Sequence, residues 1–161
     1  MSQALNRVIF QQDDEDTQHG KYLTFPLGGE VFGIEIRYVT EIIGIQAITF
    51  VPEVPPYVKG IINLRGKIIP VIDMRLKFDK PEVEYTDRTC IVVVEEKDVS
   101  IGLIVDSVAD VVDIPDDQVL PPPRFKSGRQ NKYIKGIGKV GDEVRMLIDC
   151  DMITGDGEKA E

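Results

Sequence analysis

Tryptophan is absent from this chain of 161 residues, histidine occurs once and cysteine twice. A zinc site needs several clustered His or Cys ligands, and a hydrolase triad needs a positioned base. His19 lies beside Gly20 after an acidic stretch, so we interpret it as a surface residue and predict neither a metal site nor a catalytic site. The sequence thus indicates a protein that is not an enzyme and that uses no cofactor.

Long apolar segments are also missing, since no run approaches the about 20 residues of a membrane-spanning helix. The N-terminus lacks the charged start, apolar stretch and cleavage site of a signal peptide. Cys90 and Cys150 lie in apolar, strand-like segments, where small buried thiols are common. A disulfide between them is left open, although disulfides are rare in the cytoplasm. We therefore expect a cytoplasmic location without direct membrane insertion.

Basic residues are outnumbered, with 19 Lys and Arg against 28 Asp and Glu and a net charge of -9. Nucleic acid needs a basic face, so we predict no nucleic-acid partner. Residues 121–141 nevertheless contain six Lys or Arg and no acid, which keeps an OB-like barrel that binds a polyanion as an alternative. A small-molecule enzyme is a further, weaker alternative.

The acidic ends, residues 1–20 and 155–161, are predicted to be a flexible leader and a flexible tail.

Apolar residues that favour helices are scarce: the chain has 8 Leu and 4 Ala, compared with 20 Ile and 19 Val. β-Branched residues favour strands, so the composition predicts an all-β fold and excludes a helical bundle. Residues 37–43 have apolar positions at helical spacing, which predicts a short helix or helical turn that gives way to extended chain. Gly136-Ile-Gly138-Lys-Val-Gly141 spells a dinucleotide-binding pattern, but a turn and a strand are predicted after it where that motif requires a helix.

The two halves of the chain share a pattern of residues. One set recurs at an offset of 69 residues and a second set at an offset of 76. The first set comprises Gly33, Val39, Glu41 and Pro52, matched by Gly102, Val108, Asp110 and Pro121, and the second comprises Tyr57, Gly60 and Asp73, matched by Tyr133, Gly136 and Asp149. This repeat predicts two similar β-barrel subdomains, 21–81 and 89–154, packed together along a seam. Strand exchange between them is left open, and the extra residues of the second copy are placed within 122–132.

The segment from Tyr57 to Arg75, with Asn63-Leu-Arg-Gly66 at its centre, closely resembles the signature of the CheW family of chemotaxis coupling proteins. The resemblance continues through 32–36, 39–42, 102–106 and 133–136, so it covers about residues 21–154. It implies two SH3-like barrels with short helical segments. It also implies a non-catalytic adaptor that couples methyl-accepting chemotaxis receptors to the histidine kinase CheA. Met74 departs from the Leu that the family commonly has, a volume-conserving exchange.

The resemblance implies a set of partner-binding residues: Val39, Glu41, Lys59, Gly60, Asn63 and Arg65. The implied partners are the regulatory domain of CheA and the cytoplasmic tips of the receptors. Such complexes would hold the protein at the inner face of the membrane.

Each of these residues also has a simpler interpretation. Arg65 occupies a turn, where a long cation is often merely solvated, and Asn63 precedes that turn, where a short polar side chain commonly bonds its own backbone. Gly60 is interpreted as a backbone device that shapes the strand presenting Asn63 and Arg65.

Val39 and Glu41 are predicted to lie on the helical turn, half in the core and half on a solvated face. Lys59 is predicted to be exposed and is a candidate for a mixed-charge patch with Glu41.

Overall fold

The computed structural model describes residues 18–122 and 131–159. Most of the predicted leader, most of the predicted extra residues of the second copy and the last two residues of the predicted tail lie outside these ranges. The described residues form eleven strands: β1 (Lys21–Leu27), β2 (Glu30–Glu35), β3 (Val39–Gly44), β4 (Val58–Leu64), β5 (Lys67–Asp73), β6 (Cys90–Glu96), β7 (Val99–Val105), β8 (Val111–Asp113), β9 (Val119–Leu120), β10 (Ile134–Val140) and β11 (Glu143–Ile148). They also form two α-helices, α1 (Met74–Lys77) and α2 (Cys150–Lys159), and 3-10 turns at Ile36–Tyr38, Asp116–Gln118 and Asn131–Tyr133.

The strands build two sheets that curl like small barrels. The six-stranded sheet has the order β8-β1-β2-β11-β10-β9, and the five-stranded sheet has the order β3-β6-β7-β5-β4. The prediction of an all-β fold with two small barrels and short helical segments is therefore confirmed.

Strands are exchanged between the two halves of the chain. The hairpin β1–β2 of the first half joins β8–β11 of the second half, and the hairpin β6–β7 of the second half joins β3–β5 of the first. Each barrel therefore takes its leading hairpin from the opposite half, so the sequence repeats 21–81 and 89–154 do not coincide with the sheets.

The repeat is visible at the joints between the exchanged strands. Gly33 on β2 pairs with Leu147 on β11 in parallel orientation, and Gly102 on β7 pairs with Val71 on β5 in the same way. The backbone N–H of Asp73 donates to the Tyr57 carbonyl at 2.8 Å. The N–H of Asp149 donates to the Tyr133 carbonyl at 2.8 Å. These pairs are related by the sequence offsets, so each barrel is closed by contacts equivalent to those of the other.

The largest hydrophobic cluster runs through both barrels. Phe25 and Phe32 of the first hairpin, Val92 and Leu103 of the second, and Met74 of α1 all belong to it and are at most 2% exposed. Met74 is fully buried at the position where the family commonly has Leu. The exchange is tolerated there because the two side chains have similar volumes. A core shared in this way means that neither barrel buries its apolar surface alone.

The structure corrects the prediction for residues 37–43. Only Ile36–Tyr38 forms a 3-10 turn, and Val39 and Glu41 lie on β3, not on a helical turn. β3 pairs with the apolar strand β6, with a bulge between Val39 and Glu41, so sheet pairing decides the conformation of these β-branched residues.

Three further sequence features have clear positions in the fold. Pro70 lies on β5, which has neighbouring strands on both sides, β7 and β4. Its ladder with β7 begins one residue later, at Val71, so Pro70 is not part of it. Gly136 and Gly138 lie within β10, and strand β11 follows the turn at Gly141. A strand therefore stands where a dinucleotide-binding motif requires a helix, as predicted. Helix α2 extends to Lys159, past the predicted domain end at residue 154.

Candidate functional site

Arg65 stands at the tip of the hairpin between β4 and β5. Its φ of 52° lies in the left-handed region, and the side chain is 69% exposed. The Asn63 Oδ1 atom accepts a hydrogen bond of 2.8 Å from the Gly66 N–H. Asn63 therefore closes the turn that presents Arg65, as the simpler interpretation of this residue proposed.

Arg65 forms an ion pair with Glu41. Its Nη1 donates to Glu41 Oε1 at 3.2 Å and its Nη2 donates to Oε2. The hydrogen bonds and the charge of Glu41 raise the pKa of the Arg65 guanidinium. Since β3 and β4 are the two edge strands of the five-stranded sheet, this pair bridges the line along which the barrel closes.

Lys59 lies on β4 but takes a different partner from the one expected. Its Nζ donates to Glu82 Oε2 at 2.5 Å, whereas Glu41 is bound by Arg65. The structure therefore does not pair Lys59 with Glu41. Glu82 was missed because its polar segment, residues 82–89, carries no periodic pattern that could assign it to a surface.

Gly60 and Val39 are buried below the hairpin that carries Arg65. Gly60 is buried with a φ of 146°, and an added Cβ atom would lie 2.1 Å from the carbonyl oxygen of Thr49. Thr49 and Ile61 exchange two backbone hydrogen bonds of 2.8 and 2.9 Å beside it. Val39 is 6% exposed and belongs to the shared core. Both residues position the strands that carry Glu41 and Asn63, so any effect of theirs on a partner is indirect.

Two exposed apolar side chains flank this region and were missed by sequence analysis. Ile68 on β5 is 54% exposed and is the register partner of Asn63. Phe50, next to the Thr49 bridge, is 77% exposed. Ile68 and Ile69 face opposite sides of β5, and only Ile69 is buried.

The ion pair occurs in only one of the two barrels among the described residues. The sequence repeat places Asp110 where the first copy has Glu41, and Gly141 where it has Arg65. Asp110 instead accepts a hydrogen bond of 2.5 Å from the Thr24 hydroxyl of the six-stranded barrel. Among the described residues, the five-stranded barrel thus carries an ion pair that the six-stranded barrel lacks at the equivalent positions. We define the hairpin surface as Glu41, Lys59, Asn63, Arg65 and Ile68.

The other reactive side chains in the described part of the chain are the cysteines and His19. Within residues 18–122 and 131–159, no group of three or more His, Cys, Asp or Glu could hold a metal ion. Cys90 and Cys150 are free and buried, and burial raises the pKa of Cys90 to about 11 and also raises that of Cys150. Thiols with raised pKa values are poor nucleophiles at neutral pH. His19 contacts Asp116 at 3.2 Å on the surface. No helix in the described part of the chain is long and apolar enough to cross a membrane.

A double barrel with an exposed, ion-paired hairpin is typical of a protein-interaction module. The CheW-like domain model matches residues 21–158. The chain is 34% identical to the chemotaxis protein CheW of Klebsiella aerogenes, with 90% of this chain and 87% of that protein aligned. It is 35% identical to the CheW of Treponema pallidum, with 89% and 85% aligned. The crystal structure of the scaffolding protein TtCheW from Thermoanaerobacter tengcongensis superposes with a TM-score of 0.76 at 36% identity, covering 81% of this chain and 88% of that one.

The chain belongs to the CheW-like family. It is a non-catalytic scaffold of chemotaxis signalling, as the sequence predicted.

Proposed function

We propose that this scaffold couples methyl-accepting chemotaxis receptors to the histidine kinase CheA. It binds the cytoplasmic tips of the receptors and the regulatory domain of the kinase, which holds it in the cytoplasm at the inner face of the membrane. Family membership over nearly the whole described chain supports this function. The double barrel supports it too, because two barrels with different surfaces offer separate faces to two partners.

We place the partner-binding surface at Glu41, Lys59, Asn63 and Arg65, with Val39 and Gly60 supporting it from the core. The observation that carries this assignment is the 69% exposed Arg65 side chain, held by Glu41 on one side and presented by the turn that Asn63 closes. Arginine is enriched at interface hot spots because its planar guanidinium bonds several acceptors and is weakly hydrated. Exposed Ile68 beside it supplies apolar area of the kind that interface centres bury.

The test is co-sedimentation of the protein with receptor-containing membranes and CheA. Truncation of Arg65 to Ala should weaken capture on the order of thirtyfold, the effect of losing a hot-spot side chain. Its melting temperature should stay within about 2 °C of the parent, because exposed substitutions rarely change stability much. Arg65→Glu should weaken capture further, since it places a second carboxylate against Glu41 and repels acidic groups of the partner.

Lys97→Ala is the matched control for Arg65→Ala. Lys97 also has a φ of 52° at a hairpin tip, is 79% exposed and lies 3.6 Å from the Asp151 carboxylate. If both variants are captured like the parent, Arg65 is a solvated turn residue and the surface assignment is wrong. If the parent itself fails to sediment with receptors and CheA, the coupling function is wrong.

A further inference from the structure

Ionisable side chains gather where helix α2 packs against the hairpin β6–β7. Glu96 is the last residue of β6, in the five-stranded sheet, and Asp151 lies in the first turn of α2. The helix follows β11 of the six-stranded sheet after a single residue, and it packs on both strands of the hairpin. The side chains of Glu96 and Asp151 are hydrogen-bonded to each other. This carboxyl pair therefore connects elements of the two sheets.

One oxygen atom of Glu96 decides how the pair is protonated. The Oε2 atom is buried, and no hydrogen-bond donor of the described residues reaches it. A carboxylate only accepts hydrogen bonds, so two ionised carboxyl groups cannot bond each other. A proton on Glu96 resolves both conflicts, because the neutral carboxyl donates to Asp151 and loses the charge that burial disfavours. The closed pair therefore holds one proton.

The surroundings on the hairpin and on α2 keep this proton on Glu96. The Lys97 Nζ atom lies 3.6 Å from the Asp151 carboxylate. The hydrogen bond with Glu96, and then the charge of Lys97, lower the pKa of Asp151. Burial, and then the Asp151 carboxyl, raise the pKa of Glu96. Cys150 beside the pair is 3% exposed, and burial raises the pKa of its thiol, so it adds no charge.

The 3-10 turn before β3 supplies the other charged groups near the pair. Arg37 donates to Glu35 at 2.9 Å and to the Tyr38 hydroxyl at 2.8 Å, and Lys135 also pairs with Glu35. Tyr38 stays protonated, because burial raises its pKa to about 12. None of these groups donates to the buried Oε2 atom of Glu96. They therefore do not replace the proton of the pair.

Helix α2 depends on its docking contacts. It contains Gly155 and Gly157 within ten residues, and glycine disfavours a helix. Ile153 is fully buried in the shared core and anchors the helix there. The Asp151 side chain is 56% exposed, so the side of the first turn that carries it borders solvent. Loss of the carboxyl contact is therefore expected to loosen this turn while Ile153 stays in place.

We propose that Glu96 and Asp151 form a proton-dependent latch between the hairpin β6–β7 and the first turn of helix α2. In the closed latch, the Glu96 carboxyl donates its proton in a hydrogen bond to the Asp151 carboxylate. When the pH rises, this proton leaves to water and two negative charges face each other. The first turn of α2 then moves away from the hairpin, which weakens a contact between elements of the two barrels.

The test is a nuclear magnetic resonance titration of the full chain between pH 5 and pH 9. The side-chain carboxyl carbon of Glu96 should titrate with a midpoint near pH 7. The Cα shifts of Asp151 and Met152 report helical backbone. They should lose part of their helical offset over the same pH interval.

Three variants separate the steps. Glu96→Gln keeps a neutral donor, so the helical offset of the first turn should persist to pH 9. Asp151→Asn removes the second carboxyl and should lower the Glu96 midpoint by about one pH unit or more. Glu95→Gln is the matched control, because it removes the same charge from the neighbouring position, which is 43% exposed and lies 3.5 Å from Lys67. It should titrate like the parent.

Two results would overturn the proposal. A Glu96 midpoint near 4.5 in the parent, or one that Asp151→Asn leaves unchanged, shows that the two carboxyl groups share no proton. A Glu96 midpoint near 7 with constant Cα shifts at Asp151 and Met152 shows that the proton is shared but holds no latch.

Discussion

Substitution of Gly60 by alanine tests how the hairpin surface is built. The backbone φ of 146° disfavours any side chain, and the new Cβ would lie 2.1 Å from the Thr49 carbonyl oxygen, which is backbone and cannot rotate away. Relief of this clash separates Thr49 from Ile61 and breaks their hydrogen bonds of 2.8 and 2.9 Å. Backbone strain of about 1–3 kcal/mol and two lost bonds of about 1 kcal/mol each predict a total destabilisation of about 3–5 kcal/mol.

Thermal unfolding followed by circular dichroism measures this effect within a series of glycines. Gly60→Ala should lower the melting temperature by about 10 °C or more. Gly66→Ala shares the left-handed backbone, with a φ of 89°, but meets no atom within 4 Å, so it should lose only about 1–2 kcal/mol. Gly44→Ala has neither constraint and should melt within about 2 °C of the parent. If Gly60→Ala melts like Gly44→Ala, the close approach of Thr49 does not constrain this strand and the argument fails.

Two further predictions concern carboxylates. Burial, and then the neighbouring Asp151 carboxyl, raise the pKa of Glu96 to about 7 from 4.5. The contribution of the protonated Glu96 carboxyl to the free energy of unfolding is therefore fully present below pH 4.5, and it is lost as the pH rises through 7. Glu96→Gln should therefore raise the melting temperature at pH 8 and leave it unchanged at pH 4.5, whereas an equal gain at both pH values would contradict the assignment. Asp73, 3% exposed, accepts hydrogen bonds from the N–H groups at the start of α1 and, at 2.8 Å, from the Tyr85 hydroxyl. Asp73→Ala should destabilise the fold by about 3 kcal/mol in urea unfolding, and a loss no larger than that of Tyr85→Phe would show that the cap contributes nothing.

Local pattern and internal repetition were sufficient to predict the fold class. The excess of Ile and Val over Leu and Ala predicted strands, and the offsets from Gly33 to Gly102 and from Asp73 to Asp149 predicted duplication. The reciprocal exchange of hairpins was not predictable, because a swapped and an unswapped pair of barrels bury the same side chains in the same alternation. Residues 37–43 were predicted to be a short helix or helical turn that gives way to extended chain, and only the length of the turn was wrong, because helical spacing and a bulged strand look alike over so short a segment.

For the candidate site, the sequence predicted the positions of the residues but not their ion-pair partners. The side chains at Asn63 and Arg65 lie at the exposed turn that the sequence indicated. Their partners depend on where distant strands meet, as with Glu41, 24 positions away from Arg65. Lys59 was expected near Glu41, but it bonds Glu82, which lies in a segment without apolar pattern. The electrostatic partner of a surface charge is thus fixed by tertiary placement that a single sequence does not specify.

The exchange of hairpins has a mechanical consequence for a scaffold. The hairpin β1–β2 is covalently part of the half that builds the five-stranded barrel, yet it completes the six-stranded barrel, and β6–β7 does the reverse. Opening either barrel at its parallel joint, at Gly33 and Leu147 or at Gly102 and Val71, therefore pulls on the chain of the other. The shared core adds to this coupling, since Phe32 and Leu103 are buried in one cluster. The two barrels are thus coupled through both the chain and the core, so the proposed function predicts that partners on the two barrels are held in a defined relative orientation.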